Sequence, residues 1–229
     1  MHDTALTNSR RFFSCYAKHV SVARPKLLEI GSQDVNGAMR GIVPQQFDYI
    51  GADMVAGKGV DVVLEDPYIL PFASESIDVV VSISCFEHSE MFWLAFLEIM
   101  RVLKPEGLFY LNVPSNGAFH RHPVDCWRFY PDSGRALVRW AQRNAINPAL
   151  LECYTSHQVA DIWNDLVAVF VKDVVHARQF PDRIVHTIRD FNNATTLESA
   201  EFLKFSVFPE DRKKLNVISR IMSNELKVQ

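Results

Sequence analysis

Cysteine is scarce in this 229-residue chain, and the four cysteines lie far apart. They occupy positions 15, 85, 126 and 153, and no C-x-x-C pair occurs. Most zinc sites and disulfide frameworks are marked by closely spaced cysteines, so this spacing argues against both and favours reduced thiols. A chain of this length buries roughly 70% of its unfolded surface on folding, so it does not need a disulfide or a zinc site to be stable.

Long apolar runs and a strong net charge are also missing. No run approaches the ~20 apolar residues that span a bilayer, and residues 1–6 lack the charged-then-apolar order of a signal peptide. We therefore expect a soluble, cytoplasmic protein with no membrane partner. The formal net charge of −3 gives no general attraction to nucleic acid, so we expect no nucleic-acid partner.

The chain does contain an alternation of short apolar runs and helix-like periods. Residues 77–83 are almost continuously apolar, which is typical of a strand covered on both faces of a parallel sheet. Alternating segments of this kind imply βαβ units, so the sequence predicts an α/β protein with a doubly wound, mostly parallel sheet. The predicted strands are 26–30, 47–53, 60–64, 77–83, 108–113, 150–154 and 165–171, and the predicted helices are 8–20, 91–103 and 134–143.

The composition changes after Asp173. Residues 174–229 contain no glycine and two prolines, and helix-like periods cover 197–205 and 210–227. The sequence therefore predicts a sheet domain over 1–173 and a C-terminal helical extension over 174–229, serving as a lid or as the contact of a homodimer. Apolar residues in the extension indicate that part of it packs against another surface; they are Phe202, Leu203, Phe205, Val207 and Phe208.

The segment 29–37 is the strongest local signal for a bound ligand. Gly31 follows the first predicted strand, where a glycine lets a ligand approach the backbone. Asp53 ends the second strand, at the position where a carboxylate receives the two hydroxyls of an adenosine ribose. Both residues belong to the carboxyl edge of the sheet, where open α/β sheets bind their ligands.

The same loop argues against a nicotinamide dinucleotide. The dinucleotide fingerprint G-x-G-x-x-G has glycine where this chain has Gln33 and Asn36. A side chain at position 33 crowds a pyrophosphate on the helix N-terminus, and Asp34 repels it. A cofactor without phosphates meets neither obstacle, and a cationic sulfonium tolerates carboxylates nearby. The loop therefore favours S-adenosylmethionine over NAD and argues against a third hypothesis, an NAD-dependent oxidoreductase.

Six segments in a fixed order resemble the class I S-adenosylmethionine-dependent methyltransferases, in particular the broad group that acts on small molecules. Together they cover about half the chain, from residue 26 to residue 115. The resemblance implies a Rossmann-like methyltransferase fold, with S-adenosylmethionine as cofactor and S-adenosylhomocysteine as product. The segments are 28–32, Asp53, 70–72, 77–82, 86–88 and 101–107.

The resemblance also implies roles for individual residues at the cofactor. Glu29 and Gly31 line its methionine and ribose side, and Asp53 binds the ribose hydroxyls. Met54 packs on the adenine, Asp66 accepts a hydrogen bond from the adenine amino group, and Ser84, with Cys85, closes the fourth strand against the cofactor. The chain departs from the family at Gln33, where glycine is usual, and at Pro67 and Tyr68, where small residues are usual.

The segment 119–131 is dense in polar and aromatic residues and follows the fifth predicted strand. It resembles an H-x-x-P-x-D-x-W-R-F/Y-x-P stretch of one branch of these enzymes. We predict that His120, Trp127 and Arg128 contact the acceptor and that His122 and Asp125 take part in catalysis. The alternative is a rigid loop in which Trp127 is buried and Arg128 pairs with Asp125.

His88 follows the fourth predicted strand, where it faces the transferred methyl group. It is either a general base for an acceptor hydroxyl, supplying ~10²–10⁴ in rate, or a residue that fixes the loop behind the cofactor. His120, His122 and Cys126 lack a carboxylate or thiolate pair that completes a metal-binding pattern, so we expect no metal.

These residues together predict methyl transfer from S-adenosylmethionine to a small polar acceptor, at a hydroxyl of a sugar or another metabolite. The end of the fourth strand reads S-C-F-E-H over 84–88, unlike the D/N-P-P-Y/F signature of exocyclic nitrogen methylation on DNA or RNA bases. The alternative is an inactive S-adenosylmethionine-binding regulatory or assembly protein. The polar groups of 119–131 argue against it, because an abandoned site does not need so many buried donors.

Overall fold

The computed structural model describes residues 2–35, 37–207 and 209–226, without the side chains of 209–214. Eight strands form one sheet in the order β3-β2-β1-β4-β5-β7-β6-β8. Strands β1 to β5 run parallel, whereas β7 is antiparallel to both β5 and β6, and β8 is antiparallel to β6. The strands are β1 Lys26–Ile30, β2 Asp48–Asp53, β3 Val62–Val63, β4 Ile77–Ile83, β5 Leu103–Pro114, β6 Ala149–Ser156, β7 Asp165–Val171 and β8 Phe191–Thr196.

The strand order confirms the predicted doubly wound, mostly parallel sheet. From β1 the chain builds outward through β2 to β3 and then returns to place β4 on the other side of β1. The point where the direction of winding reverses lies between β1 and β4, and ligands of open α/β sheets bind outside the carboxyl ends of such strands.

Helices and apolar side chains cover both faces of the sheet. The helices are α1 Asp3–Tyr16, α2 Phe92–Val102, α3 Ser133–Arg143 and α4 Pro209–Met222. On one face, Phe12 and Tyr16 of α1 pack into the core with Val79 and Val81 of β4. On the other face, α2 and α3 pack against the alternate residues of the same strands. All seven residues of β4 are buried, which explains the nearly unbroken apolar run in its sequence.

Strand β5 begins five residues earlier than predicted. The chain passes directly from α2 into the strand at Leu103, although Pro105 and Gly107 are typical stop signals. The register of β5 against β4 shifts between the pairs Ile77–Leu103 and Val79–Leu108. This irregularity accommodates the proline and glycine inside the strand, because a bulge tolerates a residue without an N–H donor.

The segment after residue 173 differs from the predicted helical extension. It forms short 3₁₀ helices at Val174–Gln179 and Ile184–His186, and then β8, which extends the sheet past the predicted boundary. Residues 197–205 form no helix; instead Leu203 pairs with Ala194 in an isolated bridge. Strand β8 has one sheet neighbour, so it tolerates polar residues, and its sequence F-N-N-A-T-T gives no clear apolar alternation.

Helix α4 matches most of the helix predicted over 210–227. Phe205, Val207 and several apolar residues of α4 are exposed in the described part of the chain, and Phe208 lies outside it. The role of this segment as a lid or as a homodimer contact stays a prediction. Among the described residues, no helix is both long and apolar enough to span a membrane.

Candidate active site

A cavity of about 370 Å³ opens at the carboxyl edge of β1, β2, β4 and β5. Its position is the winding reversal between β1 and β4, and its volume falls in the ~300–1,000 Å³ range of small-molecule sites. The strand ends supply one wall, and the loops that follow β4 and β5 supply the other. The cavity is therefore the candidate site for both ligands of the predicted reaction.

Five of the six predicted cofactor residues line this cavity: Glu29, Gly31, Asp53, Met54 and Ser84. The sixth, Asp66, does not line it. Its carboxylate accepts the backbone N–H of Tyr68 at 2.8 Å, and Tyr68 and Pro67 form the wall instead. In this loop the cavity is therefore lined by the two residues that follow Asp66.

Gly31 holds the first turn of the site in a conformation that suits glycine. Its φ is +83°, and an added Cβ would lie 2.7 Å from both Cβ and Sγ of Cys85. The backbone N–H groups of Gly31 and Ser32 both donate to the carbonyl of Ala52, at 2.9 and 3.2 Å. The turn is therefore fixed against β2, with its backbone open to the cavity.

Asp53 presents a fixed carboxylate at the end of β2. Its Oδ2 accepts the backbone N–H of Gln33 at 3.0 Å, and its Oδ1 accepts that of Val55 at 3.2 Å. A carboxylate oxygen can accept two hydrogen bonds, so each of these oxygens can still accept one from a ligand hydroxyl. This arrangement fits a vicinal diol, such as that of a ribose.

Glu29 is buried in the cavity wall beneath this edge. The hydroxyl of Tyr49 donates to its Oε2. Burial raises the pKa of the Glu29 carboxyl to about 7, while the Tyr49 hydrogen bond partly opposes this rise. At neutral pH the carboxyl is close to half ionised and responds to any positive charge that a ligand brings.

We expect cofactor affinity to rise with pH because of Glu29. S-adenosylmethionine carries a sulfonium charge, which favours the ionised form of a carboxyl with a pKa near 7. Between pH 6 and pH 8 the affinity should increase by up to about tenfold, the change in the ionised fraction. Calorimetric titration across this range measures it.

The matched variant Glu29→Gln isolates the contribution of Glu29 from those of the other groups in the cavity. The pH dependence of the variant should be flatter than that of the wild type. Equal slopes for the two proteins would exclude Glu29 as the source. Glu29 affects the stability of the ligand-free protein in the opposite direction. Its contribution to stability falls as pH rises from about 4.5 towards 7, because the carboxyl group ionises at lower pH in the unfolded state than in the folded state.

Two serine hydroxyls are among the polar atoms of the described cavity wall that have no hydrogen-bond partner. Among the described residues, the hydroxyls of Ser32 and Ser84 are buried and accept or donate no hydrogen bond. Ser84 also has a φ of +50°, which turns the chain away from β4 at the cavity. Buried polar atoms are normally paired, so these hydroxyls are available to a polar ligand.

The charge of the cavity suits a cation and not a phosphate. Neither lysine nor arginine is found among the described residues that line it, whereas Glu29, Asp53 and Glu87 are. Phosphate sites depend on basic side chains or free helix N-termini. The residues present therefore fit an adenosyl sulfonium, and they do not fit a dinucleotide.

Imidazole groups line the other end of the cavity. His88 lies in the 3₁₀ turn Phe86–His88 after β4, and His120 and His122 come from the loop after β5. The His88 ring centroid is 4.9 Å from that of His120 and 5.9 Å from that of His122. His88 Nδ1 donates to the carbonyl of Val124 at 2.5 Å, so Nε2 carries the lone pair. Burial lowers the pKa of His88, which favours this neutral form.

Asp125, Trp127 and Arg128 do not line the cavity. The Asp125 side chain is 2% exposed, and its two oxygens accept from Arg128 at 2.6 and 2.8 Å. Its Oδ2 also accepts the backbone N–H of His120 at 2.7 Å. Arg128 holds the pKa of the Asp125 carboxyl down, at about 2. The pair thus fixes the loop that carries His120 and His122, as in the rigid-loop alternative.

Trp127 is 37% exposed and not buried as that alternative expects. Its indole N–H donates to the carbonyl of Ser89 at 2.8 Å. The backbone carbonyl of Glu87 accepts the N–H groups of both Cys126 and Trp127, at 2.7 and 3.2 Å. These bonds connect the loop after β5 to the turn after β4. The segment with His120 and His122 is therefore held next to the segment with His88.

Several residues that line the cavity were not predicted as site residues, among them Glu87, Trp163 and His2. The carboxyl group of Glu87 is buried, and burial raises its pKa to about 8. Trp163 lies between β6 and β7, where its ring is 5.0 Å from that of His120 and 5.7 Å from that of His2. No local sequence signal places His2 beside Trp163, because the contact joins opposite ends of the sheet domain.

Comparisons with known proteins agree with this geometry. Residues 32–111 match the family model described as a methyltransferase domain. The chain resembles Burkholderia thailandensis 1,6-didemethyltoxoflavin-N1-methyltransferase, solved with S-adenosylhomocysteine, at 14% identity and a TM-score of 0.55, over 75% of this chain and 80% of that one. It also resembles the YcgJ protein of Bacillus subtilis, at 13% identity and a TM-score of 0.54, over 75% of this chain and 99% of that one.

The CurJ carbon methyltransferase has a TM-score of 0.52 at 14% identity, over 75% of this chain and 56% of that one. A search of curated proteins by sequence finds no match. The sheet with its flanking helices has the Rossmann-like fold of the class I methyltransferases. Residues 32–111 carry the methyltransferase domain, and together with the fold this supports an S-adenosylmethionine-dependent methyltransferase with S-adenosylmethionine as cofactor.

Proposed function

We propose that the chain transfers the methyl group of S-adenosylmethionine to a hydroxyl of a small polar acceptor, such as a sugar or another metabolite. The observation that supports this acceptor is the imidazole-lined end of the cavity, formed by His88, His120 and His122. Methyl transfer to a hydroxyl releases a proton, and imidazole is the side chain best suited to receive it near neutral pH.

The same cavity supports the proposed cofactor contacts. Bound S-adenosylmethionine supplies a methyl group on a sulfonium centre. Asp53 holds the ribose hydroxyls, the buried Glu29 lies on the methionine side, and Met54 covers the adenine. Ser84 and Gly31 border the space between the adenosyl end and the histidines. These contacts align the methyl carbon with the acceptor, and such alignment supplies ~7–11 kcal/mol of the barrier.

The proton balance assigns a role to the histidines. The acceptor oxygen forms a bond to the methyl carbon while the bond from that carbon to sulfur breaks. The hydroxyl proton passes to an imidazole nitrogen, either Nε2 of His88 or the ring of His122. Asp125 acts indirectly, since it anchors Arg128 and the backbone of His120. Trp127 and Arg128 are proposed to position the acceptor loop and not to touch the acceptor.

The names of the structural neighbours give different methyl acceptors: a nitrogen for the toxoflavin-precursor enzyme and a carbon for CurJ. The fold alone therefore does not select the acceptor atom. The cavity of about 370 Å³ has to hold the cofactor and the reacting part of the acceptor, which favours a small molecule or one end of a larger one.

A radiolabelled transfer assay tests this proposal. With S-adenosylmethionine labelled in its methyl group, a panel of sugars, phenols and amines should yield label only in hydroxyl compounds. His88→Ala should lower turnover by about 10²–10⁴-fold while affinity for S-adenosylhomocysteine stays within about twofold. His186→Ala, at an exposed residue outside the cavity, is the matched control and should match the wild type. Label in amines alone, or in no member of the panel, would refute the hydroxyl assignment.

A further inference from the structure

A carboxylate and two imidazoles meet at the acceptor end of the cavity. Glu87 and His88 come from the turn after β4, and His120 comes from the loop after β5. One possible ligand atom from each residue can be chosen so that all three lie within 4.8 Å of one another. Zn²⁺ with metal–nitrogen distances of about 2.0–2.1 Å places its ligands roughly 3.3 Å apart. A contraction of up to about 1.5 Å would therefore close the cluster around an ion.

Glu87 is a buried acid, and one oxygen of its carboxyl group lacks a hydrogen-bond partner among the described residues. The residue is 1% exposed, and its Oε2 has no hydrogen-bond partner among the described residues. Arg128 influences Glu87 electrostatically, but its guanidinium pairs with both oxygens of Asp125. A buried carboxylate costs several kcal/mol unless a cation or donors accompany it. This unpartnered oxygen therefore points to a ligand that the protein itself does not supply.

Both imidazoles are oriented in the way that metal-binding histidines usually are. His88 Nδ1 donates to the carbonyl of Val124 at 2.5 Å, and His120 Nδ1 donates to the carbonyl of Ala118 at 3.1 Å. A carbonyl only accepts, so each Nδ1 carries the proton and each Nε2 carries the lone pair. Metal-bound histidines characteristically donate their second ring nitrogen to a carbonyl or a carboxylate. Nε2 of His88 already lies 3.8 Å from Oε1 of Glu87.

We propose that Glu87, His88 and His120 bind a divalent transition-metal cation that holds the acceptor hydroxyl. Two imidazoles and one carboxylate suit Zn²⁺, Mn²⁺, Fe²⁺ or Co²⁺ better than Mg²⁺ or Ca²⁺, which prefer oxygen ligands. Three protein ligands leave a coordination position open, and all three residues line the cavity. This site revises the expectation of no metal, which considered His120, His122 and Cys126 without the distant carboxylate.

The role of the cation towards the acceptor rests on the proposed function. A hydroxyl bound to a divalent cation loses its proton more readily, as bound water does. With His88 as a ligand, His122 receives that proton. The oxygen–carbon bond then forms and the carbon–sulfur bond breaks, and the cation keeps its oxidation state throughout.

Titration of the full-length protein with Co²⁺ tests the site without any acceptor. After treatment with a chelator, the wild type should bind one Co²⁺, with visible d–d absorption bands and a calorimetric signal. Glu87→Gln and His120→Ala should each weaken binding by more than about tenfold. His186→Ala serves as the control and should bind as the wild type does. Circular dichroism and affinity for S-adenosylhomocysteine verify that each variant is folded.

Three results would overturn the cation site: no Co²⁺ binding by the wild type, Co²⁺ affinity unchanged in both Glu87→Gln and His120→Ala, or an equal loss of Co²⁺ affinity in His186→Ala.

The proposed function fails on different results. If Co²⁺ binds as described but no hydroxyl compound is methylated with or without metal, the site stands and the acceptor assignment falls. If a hydroxyl compound is methylated at the same rate after chelation and in Glu87→Gln, the acceptor assignment stands and the cation site falls.

Discussion

Replacing Gly31 with alanine is expected to weaken S-adenosylhomocysteine binding by more than about tenfold and to destabilise the protein by about 2–5 kcal/mol. The φ of +83° costs an L-residue about 1–2 kcal/mol. The new Cβ would also lie 2.7 Å from Cβ and Sγ of Cys85, and such overpacking costs about 1–3 kcal/mol. Both Gly31 and Cys85 line the cavity, so relief of the contact moves the wall that faces the ligand.

Calorimetric titration and thermal unfolding measure the two effects of Gly31→Ala. Gly41→Ala is the matched control, because Gly41 lies in a 3₁₀ helix and a Cβ there would meet nothing within 4 Å. It should leave both quantities at their wild-type values. The double variant Gly31→Ala/Cys85→Gly removes the steric contact but keeps the backbone strain, so it should recover only part of the loss. Wild-type affinity in Gly31→Ala alone would be incompatible with the proposed position of the ligand.

The Asp53→Asn variant is expected to bind S-adenosylhomocysteine about 10–100-fold more weakly than the wild type. Hydrogen bonds to a charged acceptor contribute about 1.5–3 kcal/mol, and tenfold in affinity corresponds to about 1.4 kcal/mol. Asparagine keeps one oxygen, for the N–H of Gln33 or that of Val55, and presents an amide donor at the other position, where a ribose hydroxyl needs an acceptor. The loss should therefore appear in binding more than in stability.

Asp48→Asn provides the control for Asp53→Asn within the same strand. The Asp48 side chain is 42% exposed at the opposite end of β2, where its carboxylate pairs with Arg24. Exposed pairs of this kind contribute little, so the variant should change neither cofactor affinity nor stability by more than about 0.5 kcal/mol. Equal effects of the two substitutions would show that β2 as a whole, and not the carboxylate at its end, determines binding.

The central strands were the most predictable part of the fold. The predicted bounds of β1, β4 and β7 coincide with the observed ones, because strands buried on both faces give uninterrupted apolar runs. The edges of the sheet were less predictable. Strand β3 has two residues where five were predicted, and β8 was taken for part of a helical extension. Edge strands are held by neighbouring backbone and need little apolar sequence of their own.

The site divides in the same way. Its cofactor side consists of residues at strand ends, such as Gly31 and Asp53, whose positions follow from the topology. Asp66 was misplaced by one or two residues, since its loop turns so that Pro67 and Tyr68 face the cavity. The offset arises because a loop, unlike a strand, has no fixed side-chain period.

The acceptor side depends on contacts between distant segments. Glu87 was visible only as part of a family motif, and its burial beside His120 follows from backbone bonds between the two loops. His2 reaches the cavity because its Nδ1 lies 3.1 Å from Oδ2 of Asp161, 159 positions away. Contacts between residues so far apart leave no pattern in the local sequence. The sequence therefore predicts the histidines of 119–131 but not Glu87 and His2 beside them.

A crystal structure of the protein with S-adenosylhomocysteine tests the central claim most directly. We expect density for the ligand in the cavity between β1 and β4, with both ribose hydroxyls within hydrogen-bond distance of the Asp53 carboxylate and the sulfur directed towards His88. A ligand bound at another surface, or a ribose that leaves Asp53 uncontacted, would contradict it.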